Sequence, residues 1–153
     1  SEELRVKMLQ AMCDNSHALA KLVVDKCELQ DDGKGHTYLT MTKLQAKYPG
    51  SQLYFILGYD NLRVIPKWRD SKKFLHEFNF AVVTRDDKDP LMMIRGHSVL
   101  RHYEDHFKVI SEASELKGIS SSRVREALRT QGEGLEALLH PKVIEIIKNN
   151  TFY

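Results

Sequence analysis

Leu53-Tyr54-Phe55-Ile56-Leu57 is the stretch that most restricts what this chain can become. Five apolar residues follow one another without alternation, and the run is too short for an ordinary helix. It reads as a central parallel strand of an α/β sheet, covered on both faces. Gly58-Tyr59-Asp60-Asn61 follows at its carboxyl end, just where ligands of open α/β sheets bind. The Asp60 carboxylate and the Asn61 amide can accept hydrogen bonds there from ribose hydroxyls or an amide group. Asp60 can equally be the N-cap of the next helix.

Phe80-Ala81-Val82-Val83 is a second strand of the same kind, and Phe107-Lys108-Val109-Ile110 a short third. Arg85 falls at the carboxyl end of the second, either solvated or facing a phosphate or carboxylate. Leu22 to Leu29 reads as a further strand, and 31–35 as a polar turn. Helical patterns lie between these runs. Ser1 caps a helix with Leu4, Met8, Ala11 and Met12 at helical spacing. Thr37 caps another, with Met41 and Leu44 inward and Tyr48-Pro49-Gly50 as its end. Ser71 to Phe78 turns Phe74, Leu75 and Phe78 inward. Asp89-Pro90 opens a helix that the pattern carries from Leu91 to about Glu104, though Gly96 weakens it. Leu135 to Leu139 is a short helix, and Pro141 opens a last one with Val143, Ile144 and Ile147 inward. Trp68 is the only tryptophan; it belongs either to the core or to a ligand stack. Alternating helices and strands predict an α/β fold, a Rossmann-like open parallel sheet flanked by helices. Neither a Gly-x-x-x-x-Gly-Lys-Ser/Thr loop nor a Gly-x-Gly-x-x-Gly fingerprint is present.

A length of 153 residues predicts one domain over 1–153. A net charge of +2, with the basic residues scattered, argues against a nucleic-acid partner. No apolar run approaches the length of a membrane span. Cys13 and Cys27 lack metal-ligand spacing and read as free thiols of a reducing, cytoplasmic compartment. His97, His102 and His106 read as surface residues, and no metal site is predicted. A homo-oligomer is left open.

Lys117-Gly118-Ile119-Ser120-Ser121-Ser122-Arg123-Val124-Arg125 reads as a helix start with Ser120 to Ser122 as N-cap candidates. Free N–H groups, the positive end of the helix dipole and two guanidinium forks together suit a phosphate. An ordinary capped helix with solvated arginines fits the same residues.

Ile119-Ser120-Ser121-Ser122-x-x-Arg125 resembles the Ile-Ser-Ser-Thr-x-x-Arg signature of the nicotinate/nicotinamide mononucleotide adenylyltransferases. Further matches follow in order: Arg5-x-x-Met8-Leu9, Thr37-Tyr38-Leu39-Thr40-Met41, Gly58-Tyr59-Asp60-Asn61-Leu62, Trp68, Arg85, Pro141-x-Val143 and Asn150-x-x-Tyr153. The resemblance implies transfer of the adenylyl group of ATP to nicotinate or nicotinamide mononucleotide. It implies that Ser120, Ser121, Ser122, Arg123 and Arg125 hold the ATP phosphates, with Arg125 also catalytic. Thr37, Tyr38, Thr40, Gly58, Asp60, Asn61, Trp68 and Arg85 would hold the mononucleotide. Mg2+ would come with ATP rather than on a dedicated protein site.

Leu39 replaces an acid of the family pattern and Tyr59 a small residue. The family's Gly-rich first loop and His-x-Gly-His motif precede the segment where this chain starts, and His36 and His140 do not replace them by spacing. The expectation is a domain lacking its first strand-loop-helix unit, roughly fifty residues, and inactive alone. Two alternatives stand beside this: a sister nucleotidyltransferase with another phosphorylated acceptor, and a non-catalytic nucleotide-binding domain.

Overall fold

The computed structural model describes residues 1–17, 20–30, 36–84, 88–111, 119–130 and 133–150. In chain order the elements are α1 (Glu2–Asp14), α2 (Thr37–Lys47), β1 (Tyr54–Gly58), α3 (Tyr59–Leu62), α4 (Ser71–Glu77), β2 (Asn79–Thr84), α5 (Pro90–Gly96), β3 (Phe107–Ser111), α6 (Ser121–Arg129) and α7 (Pro141–Lys148). The chain forms two compact units, Cys27–Lys117 and Ser1–Lys26 with Gly118–Tyr153.

The Cys27–Lys117 unit is built on a parallel sheet. Among the described residues its strand order is β1-β2-β3. The register sets Phe55 beside Phe80 and Phe80 beside Phe107, with Leu57 beside Val82. Alternate strand residues share a face, so these aromatics form one row. Phe74 of α4 packs edge-on against Phe80 at 4.9 Å, and Phe80 stacks on Phe107 at 4.9 Å. Phe74, Leu75, Phe80, Ile94 and Leu100 are buried around that row. The opposite face of β1 carries Ile56, which is 67% exposed. β1 was expected to be central and covered on both faces; among the described strands it lies at an edge. An apolar run reports strand propensity, whereas strand order depends on which other segments pair with it.

Other expectations need correction. The strand expected over Leu22 to Leu29 does not form: 21–26 have no regular structure and Cys27–Gln30 is a 3-10 turn. β-propensity stabilises a strand only through pairing and packing, and Val23 is 58% exposed. The Thr40 hydroxyl instead donates to Glu28 at 2.9 Å and ties this turn to α2. Thr37 is the first residue of α2, and His36 holds the N-cap position.

The helix expected from Leu91 to Glu104 ends at Gly96. His97 Nδ1 then accepts from the N–H of Val99 at 3.1 Å and of Leu100 at 3.4 Å, and a 3-10 segment, Leu100–His106, follows. Gly96 has poor helix propensity, and the His97 cap rewards a break there. His97 and His106 are therefore half-buried structural residues rather than surface ones; His106 Nδ1 lies 3.0 Å from the Phe78 carbonyl.

The Asp89-Pro90 start forms as expected, with the Asp89 carboxylate accepting from the N–H of Leu91 at 2.8 Å and of Met92 at 3.3 Å. Asp89→Ala is expected to lower unfolding stability by about 1 kcal/mol, the usual worth of an N-cap. Asp89→Asn should retain most of it. Thermal unfolding of the two variants side by side checks this.

In the other unit, Ser1 caps α1 by accepting from the Leu4 N–H. α1 carries no fully buried residue and packs against α7. Ala127, Leu135 and Ile144 form a small core with Val124, Leu128, Leu138 and Leu139 against it. The segment from Leu135 is a 3-10 turn ending at Ala137, two residues short of the helix expected to Leu139.

Candidate functional site

Two cavities in the Cys27–Lys117 unit gather the predicted mononucleotide residues into separate groups. The first, about 320 Å³, lies beyond the carboxyl ends of β1 and β2 and is lined by Gly58, Tyr59, Asp60, Asn61, Thr84 and Lys88, with Val83. β1 ends at Gly58, which takes the N-cap position of α3 without a side-chain bond. Asp60 is the second residue of α3 and is exposed. It is thus not the N-cap, and its carboxylate is left facing a polar recess. A Cβ on Gly58 would meet no atom within 4 Å. The fold itself therefore tolerates a side chain there, and glycine preserves open space at the strand end. Lys88 Nζ sits 5.2 Å from the centre of the Tyr59 ring, a cation–π distance. Lys88 and Thr84 were not picked out from the sequence. The signal available was position alone, since loops after parallel strands line such sites.

The second cavity, about 250 Å³, is lined by Glu28, His36, Thr37, Trp68 and Arg69. Trp68 does two things at once. Its ring stacks on Phe74 at 6.4 Å with 14° between planes and meets Phe55 edge-on at 6.0 Å, yet it is only half-buried and forms part of the cleft wall. The core and ligand-stack readings of this residue are compatible.

Tyr38 and Thr40 line neither cavity. The Tyr38 hydroxyl donates to Glu77 at 3.0 Å and its ring meets Phe78 edge-on. That hydrogen bond to a carboxylate holds the Tyr38 phenol above its ordinary range. Both side chains tie α2 to its neighbours. Glu28, His36 and Arg69 carried no readable signal, because the cleft joins segments far apart in sequence. Arg85 lies outside the described residues.

In the other unit the three serines divide their work. Ser120 caps α6, its hydroxyl accepting from the Arg123 N–H at 3.3 Å. Ser122 Oγ accepts from Arg125 Nη2 at 3.2 Å. The spacing of three brings these two onto one face, so the Arg125 guanidinium curls back to the first turn. The N–H groups of Ser121 and Ser122 have no partner within the helix by its geometry. Ser121 and Arg125 also edge a cleft of about 270 Å³ whose apolar lining includes Met8, Val124, Leu128 and Val143. Permanent charge, hydroxyls and helix-start donors thus share one short segment, which is the equipment for an anion.

A parallel sheet with glycine, carboxylate and amide at a strand end is the architecture of an open α/β protein that receives its ligand beyond the carboxyl ends of its strands. Residues 1–127 match the cytidylyltransferase-like family model. The chain belongs to the cytidylyltransferase-like family of nucleotidyltransferases.

It is 30% identical over 153 residues to a protein of Oceanobacillus iheyensis named probable nicotinate-nucleotide adenylyltransferase, covering 100% of this chain and 71% of that protein. It is 30% identical over 118 residues to the protein of that name from Flavobacterium johnsoniae, covering 77% of this chain and 56% of that protein. In fold it is similar to Plasmodium falciparum nicotinic acid mononucleotide adenylyltransferase complexed with APC. That match has a TM-score of 0.74 and 21% identity, over 96% of this chain and 73% of the other. No helix among the described residues is long and apolar enough to cross a membrane.

Proposed function

We propose that this chain carries the adenylyl-transfer machinery that joins ATP to nicotinate, or nicotinamide, mononucleotide, giving the dinucleotide and pyrophosphate of NAD biosynthesis. A 5′-phosphate oxygen of the mononucleotide would attack the α-phosphorus of ATP. The bond from that phosphorus to the α,β-bridging oxygen would break, and pyrophosphate would leave. No side-chain nucleophile is needed, because positioning and charge stabilisation carry such chemistry. The observation that carries this reading is the first turn of α6, where Arg125 returns to Ser122 beside helix-start N–H groups.

Thr37 and Trp68 on one cleft suit an acceptor with an aromatic ring. Arg85 and Asp60 would serve its phosphate and ribose. Among the described residues no three His, Cys, Asp or Glu side chains converge. Magnesium would travel on the triphosphate, held by phosphate oxygens and water, where it would supply charge neutralisation. Only two cysteines, Cys13 and Cys27, occur in the chain, a usage that suits a reducing cytoplasmic setting.

One observation favours a second reading, a sister nucleotidyltransferase. Tyr59 stands where the adenylyltransferase pattern has a small residue, and Lys88 covers its ring, which alters the strand-end cavity. An acceptor screen decides. Purified protein with ATP, magnesium and a panel of phosphorylated acceptors is assayed for pyrophosphate release, and each acceptor's binding is measured. Tightest binding of the pyridine mononucleotides is the expected result. Preference for an acceptor without a pyridine ring overturns it.

A further inference from the structure

His36 and Asp70 face each other from two helix starts. His36 is the N-cap residue of α2 and Asp70 that of α4, and neither side chain makes a capping hydrogen bond. Aspartate is among the best N-cap residues, yet here its carboxylate is directed elsewhere. Asp70 Oδ2 lies 3.4 Å from His36 Nε2. Asp70 also has φ of 55°, the only positive value among the described non-glycine residues. Left-handed backbone costs an L-residue roughly 1–2 kcal/mol, least for Asp, Asn and Gly. Such strain persists where the surroundings over-determine it, often at a ligand clamp.

The His36 ring lies parallel to Tyr38 at 6.5 Å. Its Nδ1 is shut off from solvent and hydrogen-bonds nothing. The Asp70 carboxylate is therefore the polar contact that orients the ring. Arg69 Nε and Lys73 Nζ each approach that carboxylate at 4.0 Å from mostly exposed side chains, where solvent screens them. His36 adjoins Thr37 on one wall of the Trp68 cleft; Asp70 adjoins Arg69 and Trp68 on the other.

We propose that the His36–Asp70 pair is a positioning clamp. It ties the start of α2 to the Trp68 turn and so sets the width of the cleft, which His36 itself helps to line. The clamp stands on geometry alone; its effect on a mononucleotide acceptor rests on the function proposed above.

Trp68 is the only tryptophan in the chain, so its fluorescence reads the cleft directly with no ligand present. His36→Phe keeps a ring against Tyr38 and removes Nε2. Asp70→Gly keeps the positive φ and removes the carboxylate. Asp70→Asn keeps the backbone tolerance and an oxygen that can accept from a ring N–H. His36→Phe and Asp70→Gly should each shift Trp68 emission to longer wavelength and steepen its quenching by acrylamide. Asp70→Asn should stay near the parent. The double variant His36→Phe/Asp70→Gly should be no worse than either single, because both remove the same contact.

In the intact enzyme, KM for the mononucleotide should rise about two- to fivefold in the two disruptive variants, the worth of one modest hydrogen bond. KM for ATP should not move. Unchanged Trp68 fluorescence in His36→Phe, or additive effects in the double variant, overturns the clamp. If Asp70→Gly does not fold, His36→Phe against Asp70→Asn carries the same contrast. If fluorescence responds as expected while the parent binds no mononucleotide, the clamp stands and the proposed acceptor falls.

Discussion

Arg125→Ala is expected to weaken ATP handling about 10- to 150-fold, the worth of one charge-assisted hydrogen bond. The geometry supplies the reason. Arg125 lies three residues beyond Ser122, on the same side of α6, and its Nη2 already sits 3.2 Å from the Ser122 hydroxyl. A phosphate received by the first-turn N–H groups would lie within reach of that guanidinium. Arg123 follows Ser122 directly; adjacent helical residues diverge by about 100° around the axis. Arg123→Ala is therefore expected to have the smaller effect. Arg125→Lys should recover only part of the loss, because an ammonium cannot fork across two oxygens. Mononucleotide binding should survive all three changes, since its proposed residues belong to the Cys27–Lys117 unit. ATP titrations of the three variants side by side check this. A silent Arg125→Ala beside a damaging Arg123→Ala would mean that the anion does not sit on the face argued here.

Trp68→Ala is expected to weaken the mononucleotide acceptor by about 1–3 kcal/mol, the range for a base stacked on an aromatic side chain, while ATP affinity barely changes. Stability will fall as well, because the ring stacks on Phe74 and meets Phe55. The two effects separate by measurement. A lost stack raises the Kd for the acceptor alone, whereas a loosened core lowers the melting temperature and degrades both ligands together. Trp68→Phe should keep most of the stability and an intermediate affinity. Equal losses for ATP and mononucleotide at a temperature where the variant is folded would confine Trp68 to the core.

Both predictions concern residues that could be named before any coordinates, and the reason is local. N-capping at Ser120, the three-residue spacing of Ser122 and Arg125, and the helix start at Asp89-Pro90 depend on neighbouring backbone alone. So do the apolar runs of β1 and β2, whose length and lack of alternation already imply strands of a parallel sheet. The alternation of those runs with helical patterns was enough for the α/β class.

What neighbours in sequence cannot decide is which segments meet. Leu22 to Leu29 has the composition of a strand, but pairing is a property of two segments; this one has no regular structure up to residue 26 and then enters a 3-10 turn held to α2 by Glu28 and Thr40. The run at β1 promised burial on both faces, yet strand order leaves Ile56 67% exposed. Asp60 looked like a cap or a ligand residue; only the position of Gly58 at the start of α3 removed the first possibility. Lys88 came to the strand-end cavity, and Glu28, His36 and Arg69 to the Trp68 cleft, through contacts between distant segments. The sequence by itself determined where β1, β2 and β3 run, the caps at Ser1, Asp89 and Ser120 and the serine-arginine turn, because those signals lie within a few residues of one another. The tertiary structure alone decided strand order, the composition of each cavity and the His36–Asp70 contact, because those depend on long-range packing, where one residue's burial is set by residues dozens of positions away.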